Sequence, residues 1–234
     1  MRDDAPSGIH EVANAADGWL SAAEGTLLYG LARGCRAGCI VEIGSWQGKS
    51  TTFLGAGSLA GGRMPVYAID PHLEPPGPEL RSLAFHRQME RAQLTCIVRP
   101  IVASSAAAAG LFKEPIELLF IDGAHDPDSV RQDWDLWTPR VIPGGYVAMH
   151  DTLLYRGPRR IAATRILRSR DFVDTGLADS ITYGRRRHPE EPQVPSSHRM
   201  RILALKRACD VGAHLRLPPA VKRWGSRVVQ LLQR

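Results

Sequence analysis

Two runs in the middle of the chain bring aspartate and histidine together: Asp122-Gly-Ala-His125 and His150-Asp151. Each follows an apolar stretch, ELLFI before the first and YVAM before the second. Such unbroken apolarity marks a strand buried on both faces of a parallel sheet. Neighbouring parallel strands that end in polar residues place them on one rim, where open α/β sheets bind ligands. Asp122, His125, His150 and Asp151 would then converge from two strand ends. Two carboxylates with imidazoles nearby suit a hard divalent cation with a base beside it. A single strand-end histidine is usually structural, but two of them beside two aspartates argue for chemistry.

A second motif lies upstream. Residues 39–50 read CIVEIGSWQGKS, a short apolar strand, a glycine-containing turn and a helix start at Lys49-Ser50-Thr51. Gly44 and Gly48 let the backbone turn tightly and approach a ligand closely. Glu42 and Ser45 add polar groups at the strand end. About one βαβ unit later comes VYAID, another strand closed by an acid, Asp70. An acid there commonly accepts hydrogen bonds from ribose hydroxyls in dinucleotide-binding folds. The turn lacks G-x-G-x-x-G, so NAD and FAD fit poorly. A cofactor without a pyrophosphate, such as S-adenosylmethionine (SAM), suits it better.

In order, EIGSWQGKST, VYAID, FIDGAHDPDSVRQDW and PGGYVAMHDT resemble the small class I SAM-dependent O-methyltransferases. The resemblance runs over residues 18–184 and is strongest to the branch that methylates sugar hydroxyls, including macrolide sugars and methylmannose polysaccharides. It implies a Rossmann-like α/β fold, a seven-stranded, mostly parallel sheet with helices on both faces. It also implies that Glu42, Gly44, Ser45, Gly48, Ser50, Asp70, Ser104 and Asp122 surround SAM, with the turn at Ser104 approaching the adenine. Asp122, His150 and Asp151 would hold a divalent metal, Mg²⁺ or alternatively Mn²⁺. His125 falls at the base position, and His150 is the second catalytic candidate. The acceptor would be a carbohydrate hydroxyl, for instance on a methylated mannose oligosaccharide precursor.

One position departs from that pattern. His150 stands where relatives often carry Asp or Glu, and imidazole is a poor ligand for Mg²⁺. Either the site takes a wider range of metals, or His150 holds the acceptor. A third arrangement has no metal, with the two histidines as base and orienter. A catechol or small phenol is the alternative acceptor, because the same metal geometry suits a vicinal diol. Tyr155, Arg156 and Arg159 could contact the acceptor by position. From other classes, the basic tail could make a nucleic-acid-binding protein on a SAM fold. His125, His150 and Asp151 could also form the triad of an iron-dependent hydroxylase.

The elements that must carry these residues are legible in outline. The 234 residues fit one large domain, and 44% hydrophobic residues make it globular rather than disordered. No apolar run approaches the roughly 20 residues that span a bilayer. The first residues, MRDDAPSGIHEV, carry acids where a signal peptide needs bases, so the expectation is a cytoplasmic protein. Cys35, Cys39, Cys96 and Cys209 lack paired metal spacing and read as packing residues. Ser21-Ala-Ala-Glu24 is a capping box that opens a helix through Leu31, stopped at Gly34. Strands are expected at 39–43, 66–70 and, more weakly, 95–99. The proline-rich stretch 71–77 reads as a loop or a cover over the cofactor, and 103–109 as a helix capped by Ser104 or Ser105. A helix over 126–137 would put Val130, Trp134 and Trp137 into the core. Another helix at 158–168 and a hairpin at 172–177 and 181–184 would complete the fold.

Residues 1–184 are the expected methyltransferase domain, 185–200 a linker or loop, and 201–234 a basic extension. From Arg185 onward the chain has 12 Lys and Arg against 3 Asp and Glu. The domain before it is therefore slightly acidic, and the positive charge belongs to the tail. An amphipathic extension that packs on the domain, or on a second copy in a homodimer, is preferred over a nucleic-acid or membrane-surface patch.

Overall fold

The computed structural model describes residues 5–73, 78–192 and 197–214, with the backbone alone at 78–81 and 210–214. Seven strands form one sheet: β1 (Cys39–Ile43), β2 (Val66–Ile69), β3 (Val98–Ile101), β4 (Ile116–Ile121), β5 (Val141–Met149), β6 (Phe172–Ala178) and β7 (Ile181–Arg186). Their order is β3-β2-β1-β4-β5-β7-β6, and only β7 runs antiparallel to its neighbours. This is the Rossmann-like, mostly parallel sheet that the motifs imply. The chain order reverses between β1 and β4, and such a switch point opens a crevice at the strands' carboxyl ends.

The register levels that rim. Ile43 pairs with both Ile69 and Ile121, and Ile121 pairs with Met149. The next residues, Gly44, Asp70, Asp122 and His150, therefore emerge side by side. Alternate strand residues feed two cores. Ile40, Val66, Leu118, Phe120 and Ala148 pack under α1 (Ser7–Ala13), α2 (Ala22–Gly34), α3 (Lys49–Ala60) and α4 (Pro78–Arg91). Val41, Ile69, Leu119, Ile121 and Met149 pack under α5 (Ser105–Leu111), α6 (Pro127–Trp137) and α7 (Arg156–Ile161). Trp134 and Trp137 lie in this second core, with Trp137 wholly buried.

Local signals account for most helix ends. Ser21 and Glu24 form the reciprocal capping box at the start of α2. Ser104 accepts from the Ala107 N–H at α5, and Asp126 caps α6 ahead of Pro127. Differences from the expected elements have physical causes. β3 starts at Val98, not 95, because Gln93 turns with φ +57° and Leu94 and Ile97 plug the core instead of extending a strand. The expected helix at 158–168 is α7 continued by a π-helical turn, Ala162–Leu167. α1 carries no side-chain cap and is seven residues long, so no periodicity announced it.

The C-terminal part is anchored where it is described. β7 continues to Arg186, and α8 (Ser197–His214) packs on β6 and the π-helical turn. Lys206 of α8 is 2% exposed and donates to the Thr152 carbonyl at 3.0 Å. Residues 74–77 of the proline-rich stretch and 215–234 of the basic extension lie outside the described residues. Among the described residues no helix is long and apolar enough to cross a membrane.

Candidate active site

The first half of the rim is built from backbone. Gly44 has φ +87°, and a Cβ there would lie 2.2 Å from the Asp122 carbonyl oxygen. Only glycine lets the ends of β1 and β4 approach this closely. Ser45 follows, 2% exposed, and its hydroxyl has no hydrogen-bond partner among the described residues. An orphaned hydroxyl at the mouth of a crevice is a vacancy in the polar bookkeeping that a cofactor can fill. Asp70 takes the Trp46 N–H at 2.8 Å on Oδ2 and the His72 N–H at 2.7 Å on Oδ1. Its carboxylate is thereby fixed at the end of β2. Ser104 follows the end of β3 by three residues and caps α5.

Glu42, Ser50 and Gly48 have other neighbours. Glu42 is fully buried and accepts from Ser50 Oγ and Thr51 Oγ1, each at 2.5 Å. Burial pushes its pKa up to about 8; the two hydroxyls work the other way, and Asp122 and Asp70 add to the rise. Both Glu42 oxygens tie α3 to β1. A Cβ on Gly48 would meet Met89 Cε at 2.7 Å, so this glycine lets α3 pack on α4.

The second half of the rim is built from charged side chains. The Asp122 N–H bonds to Ile43 O, and the His150 N–H to Ile121 O, continuing the sheet by one residue. His150 Nδ1 lies 3.0 Å from Asp122 Oδ1 and 3.7 Å from Asp151 Oδ2. His150 Nε2 lies 3.4 Å from Glu24 Oε1. Asp151 adopts φ +57°, a left-handed conformation that Asp tolerates better than most residues. His125 Nε2 is 3.0 Å from Asp151 Oδ2, at ion-pair distance but outside hydrogen-bond geometry. Its ring stacks on Tyr155, centroids 4.1 Å apart and 9° from parallel. Asp122, His125 and Asp151 each offer a ligand atom within 4.8 Å of the others.

Charge divides the two histidines. Both nitrogens of His150 face carboxylates, so both contacts are attractive only when the ring carries both protons. Burial alone would lower its pKa, but the hydrogen bonds and charges of Asp122 and Glu24 outweigh it and raise the value to about 10. Glu24 responds in the opposite sense. Burial would raise it, yet His150, Ser180 and the Ser21 N–H bring it down to about 2. Burial raises Asp122 above the usual carboxylate range, with His150 acting against it. The Asp151 carboxylate raises His125, and burial opposes this. His125 is the more open ring, with 36% of its side chain exposed against 5% for His150.

Several neighbours were not foreseen. Glu24 had a sufficient local explanation as a capping residue, and nothing near it in the chain pointed to His150. Trp19 is 84% exposed yet stacks on Trp46 at 5.4 Å and 2° from parallel, beside the glycine turn. Of the residues expected to meet an acceptor, Tyr155 lies against His125. Arg159 does not fit that expectation: it is 5% exposed and its guanidinium donates to the Leu153 carbonyl, bracing the loop from inside.

Comparison with known proteins adds to this geometry. Residues 41–152 match a family described as "Methyltransferase domain". The O-methyltransferase TomG of Streptomyces achromogenes, involved in tomaymycin synthesis and solved with SAM, superposes with a TM-score of 0.61. It shares 19% identity, with 79% of this chain and 91% of that chain covered. An O-methyltransferase from Bacillus cereus in complex with SAH gives a TM-score of 0.59 at 19% identity, covering 78% and 92%. MycE, a methyltransferase of the mycinamycin biosynthetic pathway solved with Mg, SAH and mycinamycin VI, gives 0.54 at 15% identity. There 82% of this chain aligns with 58% of that longer chain. Residues 41–152 thus match a methyltransferase-domain family, and the seven-stranded sheet that contains them has the Rossmann-like methyltransferase fold.

Proposed function

We propose that the protein is a SAM-dependent O-methyltransferase that methylates a carbohydrate hydroxyl with the help of a divalent cation. The observation that carries this reading is the meeting of Asp122, His125 and Asp151 on the same level rim as the Gly44 turn and Asp70. SAM supplies an electrophilic methyl group, and a bound divalent cation eases loss of the acceptor proton and orients the oxygen. The open Ser45 hydroxyl, the close backbone at Gly44 and the Asp70 carboxylate fit the cofactor. The carboxylates of Asp122 and Asp151 would hold Mg²⁺ or Mn²⁺, which take oxygen ligands, and leave the His125 imidazole beside them free to take a proton.

The side chains divide the remaining work. His125 receives the proton of the acceptor hydroxyl; its ring is accessible, and Tyr155 fixes the ring plane. His150, holding both protons between two carboxylates, orients Asp122 and does not act as the base. Trp19 and Tyr155 present aromatic faces at the rim, which suit the C–H face of a sugar ring. MycE, solved with Mg, SAH and mycinamycin VI, supports the metal by fold analogy. The same exposed Trp19 favours a second reading, a catechol or small phenol stacked on that face. The thiols of Cys35, Cys39 and Cys96 support the reducing cytoplasm as its compartment.

The test is incubation with methyl-labelled SAM and Mg²⁺ or Mn²⁺ against sugars, methylated mannose oligosaccharides and catechols. Label on a sugar hydroxyl, abolished by a chelator and restored by metal, supports the reading. Transfer to catechols alone would move it to the second. Full activity in excess chelator would remove the metal.

A further inference from the structure

We propose that Glu24, on helix α2, is a positioning residue of the reaction centre, acting through His150 on Asp122. The inference rests on the metal-and-base reading above and adds a residue from outside the motifs. Glu24 lies 126 positions before His150, and both are buried, 4% and 5% exposed. Every group around the Glu24 carboxylate is a donor. Oε2 takes the Ser21 N–H at 2.9 Å, and Oε1 takes the Ser180 N–H at 2.8 Å and the Ser180 hydroxyl at 2.6 Å. His150 Nε2 completes the set at 3.4 Å. Only a carboxylate satisfies all of these, because an amide would turn its NH₂ toward a donor on one side or the other.

Capping explains the Ser21 contact and docking of α2 explains Ser180. Neither requires the side chain to reach His150. An imidazole at a strand end retains rotation about Cβ–Cγ, and a flip would take Nδ1 away from Asp122. The Glu24 carboxylate, at ion-pair distance from Nε2, opposes that flip. With the ring held, Nδ1 engages Asp122 Oδ1 at 3.0 Å, and Oδ2 makes no hydrogen bond among the described residues. Asp122 Oδ1 is thereby committed to His150, and the carboxylate is held within the cluster in which Asp122, His125 and Asp151 each offer a ligand atom within 4.8 Å of the others. Outer partners of ligating carboxylates behave in this way, and losing one typically costs roughly 10–100-fold in metal affinity or activity.

The experiment compares Glu24→Gln with Ser21→Ala, each alone, and Glu24→Gln again in a His150→Gln background. Calorimetric titration with Mn²⁺ in the absence of SAM and acceptor is the first readout; kcat and acceptor KM are the second. Glu24→Gln should lower Mn²⁺ affinity and kcat by roughly 10–100-fold with little change in KM. Ser21→Ala, which removes the cap hydroxyl and leaves the His150 contact, should lower Tm and spare both readouts. The Glu24→Gln effect should vanish when His150 is already Gln, since contacting residues couple and distant ones add. Equal losses in both backgrounds, or wild-type affinity and kcat in Glu24→Gln, would overturn the proposal. Should Glu24→Gln not fold, Glu24→Asp keeps the charge and shortens the reach, and wild-type values there overturn it equally. A wild-type protein that takes up no Mn²⁺ refutes the metal reading, and the kcat comparison then decides on Glu24 by itself.

Discussion

The two halves of the rim are made from the same kind of strand end but in opposite materials. At β1 and β2, the Gly44 turn and the Trp46 and His72 N–H groups are wired by backbone, and Glu42 is sealed beneath them. At β4 and β5, two aspartates and two histidines face one another, with Glu24 behind them. A half fixed by backbone amides is preorganised to hold a large ligand, with few groups able to exchange protons. A half made of mutually facing charges is poised for proton transfer, and it depends on each member for the pKa of the next. If that division is right, substitutions should separate cleanly into those that change turnover and those that change cofactor affinity.

The largest effect is expected at the charged half. His125→Ala should lower kcat by roughly 10²–10⁴-fold, the usual contribution of general-base catalysis, while SAM affinity measured by calorimetry stays near wild type. Should His150→Ala be the dead variant and His125→Ala turn over normally, the roles given to the two rings are reversed. At the backbone-wired half, Asp70→Ala should weaken SAM binding by about 1.5–3 kcal/mol, the worth of a hydrogen bond to a charged group, and lower Tm as well, because the Trp46 and His72 N–H groups lose their acceptor. Unaltered affinity would take Asp70 out of the cofactor site.

Gly44→Ala tests the seam between the halves. Its positive φ alone costs about 1–2 kcal/mol for a non-glycine residue, and the 2.2 Å approach to Asp122 O adds a clash. Both SAM affinity and kcat should suffer together, with a lowered Tm; a loss of one alone would mean that the halves move independently. The smallest effect is expected under the rim. Glu42 has a folded pKa of about 8 against an ordinary 4.5, so the folded state binds the extra proton between those values. Its contribution to stability is complete below pH 4.5 and is lost as pH rises through about 8. Tm should therefore fall over that window in the wild type. Glu42→Gln should flatten the fall, and a parallel fall in the variant would place its origin elsewhere.

Much of this arrangement was legible residue by residue. ELLFI and YVAM announced buried parallel strands because strands covered on both faces need unbroken apolarity. The acids after them announced the rim, and the capping box at Ser21 announced α2, since each signal spans only a few neighbours along the chain. The β3 boundary was shifted because Leu94 and Ile97 are as apolar as a strand but serve as a plug, a distinction made by packing. Among the site residues, Asp122, His125, His150 and Asp151 were all visible, but their partners were not. Glu42 and Gly48 also read alike with their neighbours as cofactor residues, whereas the structure seats one under α3 and the other against Met89.

The sequence by itself determined the α/β class, the strand ends and the residue types that meet there. Tertiary structure decided which oxygen faces which nitrogen and which rings stack: Glu24 on His150, His150 on Asp122, Asp151 on His125, and Trp19 against Trp46. It also decided that the His125 side chain is partly exposed and that His150 is enclosed between two carboxylates. The physical reason is range. Apolar periodicity, caps and turns act over a few residues, while a contact across 126 positions depends on sheet register and helix docking, which no local pattern encodes.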